Sequence, residues 1–573
     1  NCAYEVKGNF VKFKLDDKID KTSTLVIDPV LIFCTFTGST GSNWGYTATY
    51  DGGGNYYAGG INLESGFPVS PGAFQTTSAG GDNTGENQGY DISIFKFNAT
   101  GTNRLYATYI GGSNSNEQPH SMIVDKDDNL IIAGRTKSTN YPTTLPNLGP
   151  CGSWDIVLTK LNATGTALIN SRKIGGLSDD GVNVSPKYGG LNGSITTRRN
   201  YGDDARSEVI LDEAGNIYLA SCTQSAPQNS ATGGFPVTNN AAQQVGGTPT
   251  TARYQDGVVI KTSPDLSNIL FSTLIGGNGD DAAFVLAINP TTNNIYVGGT
   301  TASTDLPGDK TGVLFATNQG GTDNVDGFVT ILSNDGSQFI KTSYFGTNGI
   351  DMLFGIQFDK NSFPYIMGTT TGNWPILNAP YNQPNGKQFI AKLQPDLSNW
   401  VFSTRFGPNS SVPNISPFAF LVDRCGNIYV SGWGGKPNHS YQPTQSTAGL
   451  PTTAGALKTI TDGQDMYFIV LEKNANSILY GSFFGQDDND NSFGEHVDGG
   501  TSRFDKNGVV YQSVCANCYG RASFPTHPSN VWSPTNAAGL NGCNLAAIKI
   551  AFNFAGVGSY VQSSVNGVRP TRN

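Results

Sequence analysis

A short phrase recurs along this chain, and its recurrence constrains the fold more than any other feature. The copy at 422–435 reads VDRCGNIYVSGWGG, and similar copies stand at 124–136, 211–223, 288–300 and 504–516. In each copy an apolar run ends at Asp or Asn, a turn follows, and a second apolar run begins. Asp and Asn side chains hydrogen-bond to the backbone in such turns, where Gly and Asn also tolerate positive φ. The phrase therefore predicts a repeated β-hairpin.

The hairpin belongs to a longer unit of four segments, which we denote A, B, C and D. Segments A and B are the arms of the hairpin, C resembles DGVVIKT (256–262), and D ends in Gly, as in ILFSTLIGG (269–277). The B, C and D segments each occur seven times. They are rich in β-branched and aromatic residues and are bounded by Gly, Asn, Asp or Pro, which is typical of strands. Repeated units of four antiparallel strands predict a β-propeller.

The order of the segments favours a closed ring over an open solenoid. The repeats begin with an unattached D segment at 31–37 and end with an unattached C segment at 545–551. A ring can pair these two segments and so remove two exposed sheet edges, whereas a solenoid predicts atypical capping repeats. We therefore predict an all-β fold, a seven-bladed β-propeller of four-stranded antiparallel blades that is closed by an N-terminal outer strand.

The repeat also predicts the domain boundaries. We assign residues 29–555 to the propeller. Residues 1–28 fall outside the repeat, and YEVKGNFVKFKL within them alternates polar and apolar residues around Gly8 and Asn9. That pattern predicts a short β-hairpin at the end of an upstream β-domain. We expect residues 556–573 to form a linker to downstream domains.

The composition excludes some classes of partner. The 573 residues carry a net charge of −9 with only 35 Lys and Arg, which form no basic run. Nucleic acid is therefore not an expected partner, because phosphate binding requires clustered Lys and Arg. No stretch approaches the roughly 20 apolar residues of a membrane helix, so we expect no direct membrane insertion. The eight cysteines suit export and some disulfides, but they are too sparse to build the fold.

Half of the cysteines fall in the last two blades. We expect two disulfides, with the connectivity open among three choices, within the set Cys425, Cys515, Cys518 and Cys543. A zinc site that adds His527 to the Cys-x-x-Cys of 515–518 and Cys543 is the alternative. Cys151 and Cys222 belong to neighbouring blades, and whether they form a bridge or remain thiols is left open.

An acidic cluster in GQDDNDNSFGEHVDGG (485–500) is a candidate calcium site. Calcium takes about six to eight oxygen ligands, and the cluster offers the carboxylates of Asp487, Asp488, Asp490, Glu495 and Asp498. The spacing is not that of an EF-hand loop. The alternative is a set of solvated turns in which Asp caps local amides.

Histidines and aromatic residues supply further candidates. His120 and His496 stand at or just before A segments, which line the channel of a propeller, so both are predicted to face it. They would serve there as hydrogen-bonded structural residues or as acid–base groups. Trp374, Trp433 and Tyr441 lie in connecting segments, and they form either a glycan-stacking face or packing between blades. No nucleophile-elbow motif is present in the sequence.

The aligned repeats resemble a known family. The segments TLVIDPVLIFCTFTGST, NISPFAFLVDRCGNIYVSGWGG and GEHVDGGTSRFDKNGVVYQSVCANC look like the propeller region of very large exported surface proteins of the Bacteroidota. Those proteins carry SBBP-type seven-bladed propeller repeats and often a gliding-motility-associated C-terminal domain. The resemblance covers roughly residues 25–553. It implies an extracellular, cell-surface location and export by the type IX route.

These observations lead us to expect a non-enzymatic extracellular module that acts in adhesion or surface assembly. Its partner would be a surface protein, a glycan or further copies of the chain. Loops on a rigid scaffold commonly carry function, so 177–205 and 223–255 are the expected contact surface. The alternatives are a structural subunit of a homo-oligomeric surface appendage and a propeller enzyme that acts on polysaccharide through paired carboxyl groups at the channel mouth.

Overall fold

The computed structural model describes the chain in thirteen stretches. The described residues are 2–7, 10–15, 29–80, 89–113, 115–184, 197–225, 233–247, 255–321, 325–438, 445–487, 494–520, 523–552 and 554. The regular elements in this part of the chain are β-strands, together with a few 3-10 helices of three residues each. No helix in this part of the chain is long and apolar enough to cross a bilayer.

The first two strands, β1 (Cys2–Lys7) and β2 (Phe10–Leu15), pair antiparallel with each other, with Cys2 opposite Leu15. The predicted N-terminal hairpin is therefore confirmed. Its origin in an upstream domain stays a prediction, as do the domain boundaries. The linker also stays a prediction, because residues 555–573 lie outside the described residues.

The remaining strands form seven sheets of four, which are the predicted blades. Blade 1 consists of β4 (Asn43–Tyr50), β5 (Tyr56–Asn62), β6 (Asp91–Phe97) and β7 (Arg104–Ile110). Blade 2 consists of β8 (Glu117–Val124), β9 (Leu130–Thr136), β10 (Asp155–Leu161) and β11 (Leu168–Ile174). Blade 3 consists of β12 (Glu208–Leu211), β13 (Ile217–Thr223), β14 (Asp256–Thr262) and β15 (Ile269–Ile275). Blade 4 consists of β16 (Asp281–Ile288), β17 (Ile295–Thr301), β18 (Asp326–Leu332) and β19 (Phe339–Phe345).

The last three blades follow the same order of strands A to D. Blade 5 consists of β20 (Asp351–Phe358), β21 (Pro364–Thr370), β22 (Gln388–Leu393) and β23 (Trp400–Phe406). Blade 6 consists of β24 (Ser416–Val422), β25 (Ile428–Trp433), β26 (Met466–Leu471) and β27 (Ile478–Phe484). Blade 7 consists of β28 (Arg503–Phe504), β29 (Val509–Ala516), β30 (Asn544–Ala551) and β3 (Val30–Phe36).

Blade 7 closes the ring with strands from both ends of the repeat region. The outer strand β3 pairs antiparallel with β30, and Cys34 stands opposite Ile548. The all-β, seven-bladed propeller with an N-terminal closing strand is thus confirmed. The inner strand β28 contains only two residues, so this blade has the shortest ladder next to the axis among the described strands.

The A strands line the central axis, because those of neighbouring blades contact one another. The B and C strands lie between blades and are buried on both faces, as in β5, β6, β9 and β10. Burial on both faces explains their almost continuous apolar sequences. Because adjacent strands alternate in direction, the long B–C and D–A connections lie at one end of the barrel. We call this end the loop face.

The recurring phrase is a turn between the A and B strands. In blade 6, Asp423 Oδ1 accepts the backbone N–H groups of Cys425 at 2.8 Å and Asn427 at 2.9 Å. Gly426 has φ +88°, which an L side chain rarely adopts. The hydroxyl of Tyr429 donates to Asp423 Oδ2 at 3.0 Å. The residues of the phrase therefore serve turn geometry.

Each blade is joined to the next at the loop face by two buried polar side chains, which we call the inter-blade pairs. One member opens a C strand, and the other comes from the D–A connection or the first residue of the following A strand. Five pairs are carboxylic: Asp91 with Glu117, Asp155 with Asp180, Asp256 with Asp281, Asp326 with Asp351, and Asp465 with Glu495. In the other two pairs both members are amides: Gln388 donates to Asn414, and Asn544 and Asn43 are bridged by the hydroxyl of Thr37.

Two sequence motifs of the repeat serve the inter-blade pairs. Asp281 accepts hydrogen bonds from Thr301 and Ser303, so the Thr-x-Ser that follows a B strand holds the carboxyl in place. A Cβ atom at Gly276 would overlap the carboxyl group of Asp256. Six of the seven D segments therefore end in Gly because the pair occupies the space of a side chain; the exception is Gly38, which faces Trp532 and Ser533.

Burial makes the carboxylic pairs hold protons at neutral pH. It raises the pKa of Asp281 to about 7 and that of Asp326 to about 8, and the nearby Asp351 carboxyl adds to the shift of Asp326. Burial raises the pKa values of Asp351 and Asp465 to about 6. Two neighbouring carboxyl groups cannot both ionise without repulsion, so a shared proton stabilises the pair. Two of the five pairs also contact a lysine, which offsets part of this repulsion: Lys173 lies 2.8 Å from Asp155, and Lys458 lies 2.6 Å from Asp465.

The pairs predict that the protein loses stability as the pH rises. A carboxyl whose pKa is raised by folding contributes stability that is complete below its ordinary pKa and is lost as the pH rises through the folded value. We expect the free energy of unfolding to fall between roughly pH 4 and pH 8, by about 1.4 kcal/mol per pH unit for each proton released. Urea denaturation at a series of pH values measures this dependence.

The variant Asp326→Asn tests whether the carboxylic pairs cause this pH dependence, because it replaces one of the two carboxyl groups of a pair by an amide. We expect a shallower fall of stability above about pH 6 than in the wild type. Asp127→Asn, at an exposed position, is the matched control and should leave the profile unchanged. Parallel pH profiles for Asp326→Asn and the wild type would contradict the assignment.

Candidate functional site

The mouth of the channel at the loop face is filled by the chain itself. Residues 197–207, which we call the plug, connect blade 2 to blade 3 and are mostly buried. Arg206 of the plug donates to the backbone oxygen of Pro417 in blade 6 at 2.9 Å, and its guanidinium lies 4.3 Å from the ring centroid of Phe354 in blade 5. His120 in blade 2 contacts Ser207. One segment can reach the A strands of blades 2, 5 and 6 only at the axis.

Buried ion pairs fix the plug. Arg135 Nη2 and Asp204 Oδ2 lie 2.8 Å apart, and both side chains are fully buried. Arg135 Nη1 also donates to the backbone oxygen of Asp204 at 2.8 Å, and the guanidinium lies 4.8 Å from the Trp154 ring centroid. Arg206 Nε and Asp203 Oδ1 lie 3.2 Å apart. A buried ion pair is costly to leave half-made, so the Arg135–Asp204 pair fixes the plug against blade 2. The Arg206–Asp203 pair lies within the plug and fixes its local turn.

His120 faces the axis, as its position in the sequence predicts. It lies on β8, and its Nδ1 is 3.1 Å from the hydroxyl oxygen of Ser207. Burial lowers the pKa of His120 well below its ordinary value, so the ring is neutral at physiological pH. Its backbone oxygen accepts the N–H of Thr501 at 2.9 Å. His120 therefore links the plug to the D–A connection of blade 7.

That connection carries the second predicted histidine, which lies next to a reduced thiol. His496 and Cys515 pair through their backbones, with N···O distances of 3.3 and 2.8 Å. Cys515 Sγ is 2.6 Å from Asp498 Oδ2, and His496 Nε2 is 3.8 Å from the same oxygen. The Tyr201 ring of the plug meets His496 edge-on, with centroids 5.7 Å apart. Within the described residues, His496, Asp498 and Cys515 form the group of side chains that could hold a metal ion.

One disulfide forms among the cysteines of blades 6 and 7. Cys518 bonds to Cys543 and ties together the two ends of the B–C loop of blade 7. The second predicted bridge is not formed, since Cys425 and Cys515 are reduced thiols. Cys425 lies in an A–B turn at the end of the barrel opposite the loop face, whereas Cys515 ends a B strand at the loop face. Cys151 and Cys222 are also reduced thiols.

The predicted calcium ligands have different neighbours. Asp487 forms an ion pair with Lys458 at 2.8 Å, and its side chain is exposed. Glu495 is buried in an inter-blade pair and accepts the N–H of Gln486, whereas Asp498 lies next to Cys515. Asp488 and Asp490 lie outside the described residues. The calcium site stays a prediction.

The predicted glycan-stacking face is not formed by its tryptophans. Trp374 is buried and stacks on Phe389 at a centroid distance of 3.5 Å, while its Nε1 donates to the hydroxyl of Ser403. Trp433 is also fully buried. Both belong to the packing between strands, as the alternative predicted. Tyr441 lies outside the described residues.

The sequence reasoning missed the plug. It placed 177–205 in an expected contact surface, but residues 197–205 are mostly buried at the axis, and 185–196 lie outside the described residues. The signal was present in the sequence YGDDAR (201–206), where acidic and basic residues stand together just before an A segment. Charges in that position suit a segment that enters the channel mouth.

Comparisons with known proteins agree with the fold. The family model of the beta-propeller repeat (SBBP) matches residues 105–142, from β7 to the B–C loop of blade 2. A search of curated proteins gives no significant match.

Solved structures resemble the chain only distantly. A protein of unknown function from Dyadobacter fermentans is 8% identical with a TM-score of 0.36, and the match covers 92% of this chain and 100% of that one. A polysaccharide lyase, ulvan lyase, is 9% identical with a TM-score of 0.37, covering 85% and 92%. The quinohemoprotein alcohol dehydrogenase from Comamonas testosteroni is 11% identical with a TM-score of 0.39, covering 92% and 77%. Likenesses of this size carry no argument about function.

The plug predicts a large loss of stability when its ion pair is broken. In Arg135→Met the Asp204 carboxylate stays buried without the guanidinium, and we expect the free energy of unfolding to fall by about 3–5 kcal/mol. The double variant Arg135→Met/Asp204→Leu should recover most of this loss, because no charge is left behind. Urea denaturation at constant pH gives both values.

Lys126→Met is the control, because the Lys126–Asp127 pair is exposed and should contribute nothing measurable. An effect of Arg135→Met as small as that of Lys126→Met would show that the pair does not hold the plug.

Proposed function

We propose that this chain is a non-enzymatic, extracellular binding module of a larger cell-surface protein, and that it acts in adhesion or surface assembly through its loop face. The partner is a surface protein, a glycan or further copies of the chain. The observation that carries the proposal is the plug. Because the chain's own residues fill the channel mouth, the surface offered at this end consists of the loops around it.

Apolar side chains on these loops support a binding role. Ile460 is 78% exposed in the B–C loop of blade 6, and Leu540 is 75% exposed in the B–C loop of blade 7. Tyr519, also in the loop of blade 7, is 41% exposed. The Cys518–Cys543 disulfide holds that loop together. Exposed apolar residues on adjacent, well-anchored loops are typical of contact sites.

The proposed location rests on the disulfide and on the resemblance to Bacteroidota surface proteins. Disulfides persist in oxidising compartments, which supports export. Export by the type IX route and a place in a gliding or adhesive surface protein are part of the proposal. The expected absence of membrane insertion and of nucleic acid partners belongs to it as well.

Bead adhesion tests the proposal. Beads coated with the protein are presented to a panel of neutral and acidic polysaccharides and to surfaces coated with the same protein. We expect adhesion to at least one surface, and we expect the variant Ile460→Asp/Leu540→Asp to lose it. The matched control is Leu105→Asp/Leu270→Asp, which changes residues 50% and 44% exposed on outer D strands and should adhere like the wild type.

Each other outcome counts against a stated part of the proposal. Equal loss in both variants would place the contact away from the loop face. Release of shortened chains from a polysaccharide would instead support the enzyme alternative. Adhesion to the protein-coated surface alone would count against a glycan partner and would identify further copies of the chain as the partner. Failure to adhere to any surface would overturn the proposal.

A further inference from the structure

The backbone places three metal-ligating side chains together beside the plug. His496 and Cys515 form an isolated antiparallel bridge, so their side chains leave the backbone on the same side. Asp498 lies two residues after His496 and, in extended backbone, faces the same way. Nitrogen, oxygen and sulfur ligand atoms consequently lie within 4.8 Å of one another. All three side chains are buried.

Hydrogen bonds orient the donors toward one another. His496 Nδ1 donates to the backbone oxygen of Gly494 at 2.9 Å, because a carbonyl oxygen can only accept. In the neutral ring, that bond leaves Nε2 as the nitrogen with a free lone pair, and Nε2 lies 3.8 Å from Asp498 Oδ2. Metal-bound histidines characteristically make this outer hydrogen bond to a backbone carbonyl. The N–H of Gly45 donates to Cys515 Sγ at 3.3 Å.

We propose that His496 Nε2, an Asp498 carboxylate oxygen and Cys515 Sγ bind one divalent metal ion of the zinc class. Binding releases the thiol proton of Cys515 to solvent, and the metal–sulfur bond takes its place. The 2.6 Å contact between Cys515 Sγ and Asp498 Oδ2 opens to about 3.5 Å, the separation of sulfur and oxygen ligands on tetrahedral zinc. Tyr201 of the plug lies beside the site, since its ring packs edge-on against His496.

The donor set selects the metal. Zinc accepts mixed nitrogen, oxygen and thiolate ligands, whereas calcium takes oxygen ligands alone. Cys518 and Cys543 are joined in the disulfide and cannot bind a metal while it is intact. The proposed site is therefore distinct from the zinc site that the Cys-x-x-Cys motif suggested and from the acidic calcium cluster.

The position of the site gives it a structural role. It joins the D–A connection of blade 7 to strand β29 of the same blade, where the A strand contributes only two residues. A metal bond there substitutes for the missing ladder and holds residues against which the plug packs. Because the donors are buried, we expect a closed site without exchangeable substrate.

Cobalt binding provides the test, since cobalt(II) reports thiolate ligation through a charge-transfer absorption in the near ultraviolet. The full chain is prepared without reductant, so that the disulfide stays intact, and is treated with a chelator and dialysed. We expect about one cobalt ion per chain with a sulfur charge-transfer band, displacement of cobalt by zinc, and a higher melting temperature with either metal.

Variants assign the ligands. Cys515→Ser should lose the charge-transfer band, and His496→Gln should weaken binding by about tenfold or more. Cys425→Ser is the matched control, because it removes another reduced thiol at the opposite end of the barrel and should bind like the wild type. If a ligand variant does not fold, the cobalt titration of the wild-type protein still tests the proposal through its sulfur charge-transfer band.

Three results would overturn the proposal. The first is a wild-type protein that shows no cobalt–sulfur absorption. The second is a band that survives in Cys515→Ser. The third is a band that appears only after reduction, which would place the ligands on Cys518 and Cys543.

Discussion

The inter-blade pairs are the interaction on which the rest of this propeller depends. Each buries two polar groups where one blade meets the next, and in five of them both groups are carboxyls removed from water, so that a shared proton relieves their repulsion. The glycine at the end of six of the seven D segments makes room for these groups, and the Thr-x-Ser after several B strands binds them. Features that look like separate motifs are thus parts of one repeated contact. The D–A and B–C loops start from these contacts, so the pairs also set where the loop face lies.

Polar groups at the axis extend the same principle. The plug enters between blades 2 and 3. The buried Arg135–Asp204 pair holds it to blade 2, the Asp203–Arg206 pair fixes its own turn, and the D–A connection of blade 7 packs against it through Tyr201 and His496. The two shortest A strands, β12 and β28, belong to the two blades that these segments precede. Where the inner ladder is short, side-chain chemistry replaces backbone pairing. Ion pairs do so in blade 3, and the proposed metal does so in blade 7.

The fold could be predicted almost completely from sequence, whereas the site could not. Turn residues such as Asp423 and Gly426 act locally, and strand periodicity acts over a few residues, so both are visible in one copy of the repeat and are reinforced by the others. The closing pair β3–β30 followed from counting segments. The partners of Asp204, Cys515 and Asp498 depend on contacts between blades far apart in sequence, and no local pattern encodes them. For the same reason, the neighbours of Trp374 and Trp433 in the sequence could not assign these residues to the surface or to the core. The sequence also predicted a disulfide for Cys425, but this residue lies at the opposite end of the barrel from its three candidate partners.

The strand that completes the ring is made before every other strand of the seven blades. Residues of β3 pair with β30, so a growing chain must carry this strand through the synthesis of six blades before its partner exists. Contacts between such distant positions form slowly, and an unpaired strand is an open edge in the meantime. This order favours a chain in which β3 stays unpaired until β30 has been made and in which the ring then closes in one late step. A shortened chain that lacks residues 544–551 would therefore lose the cooperative unfolding of the whole ring, in addition to the pairing within blade 7.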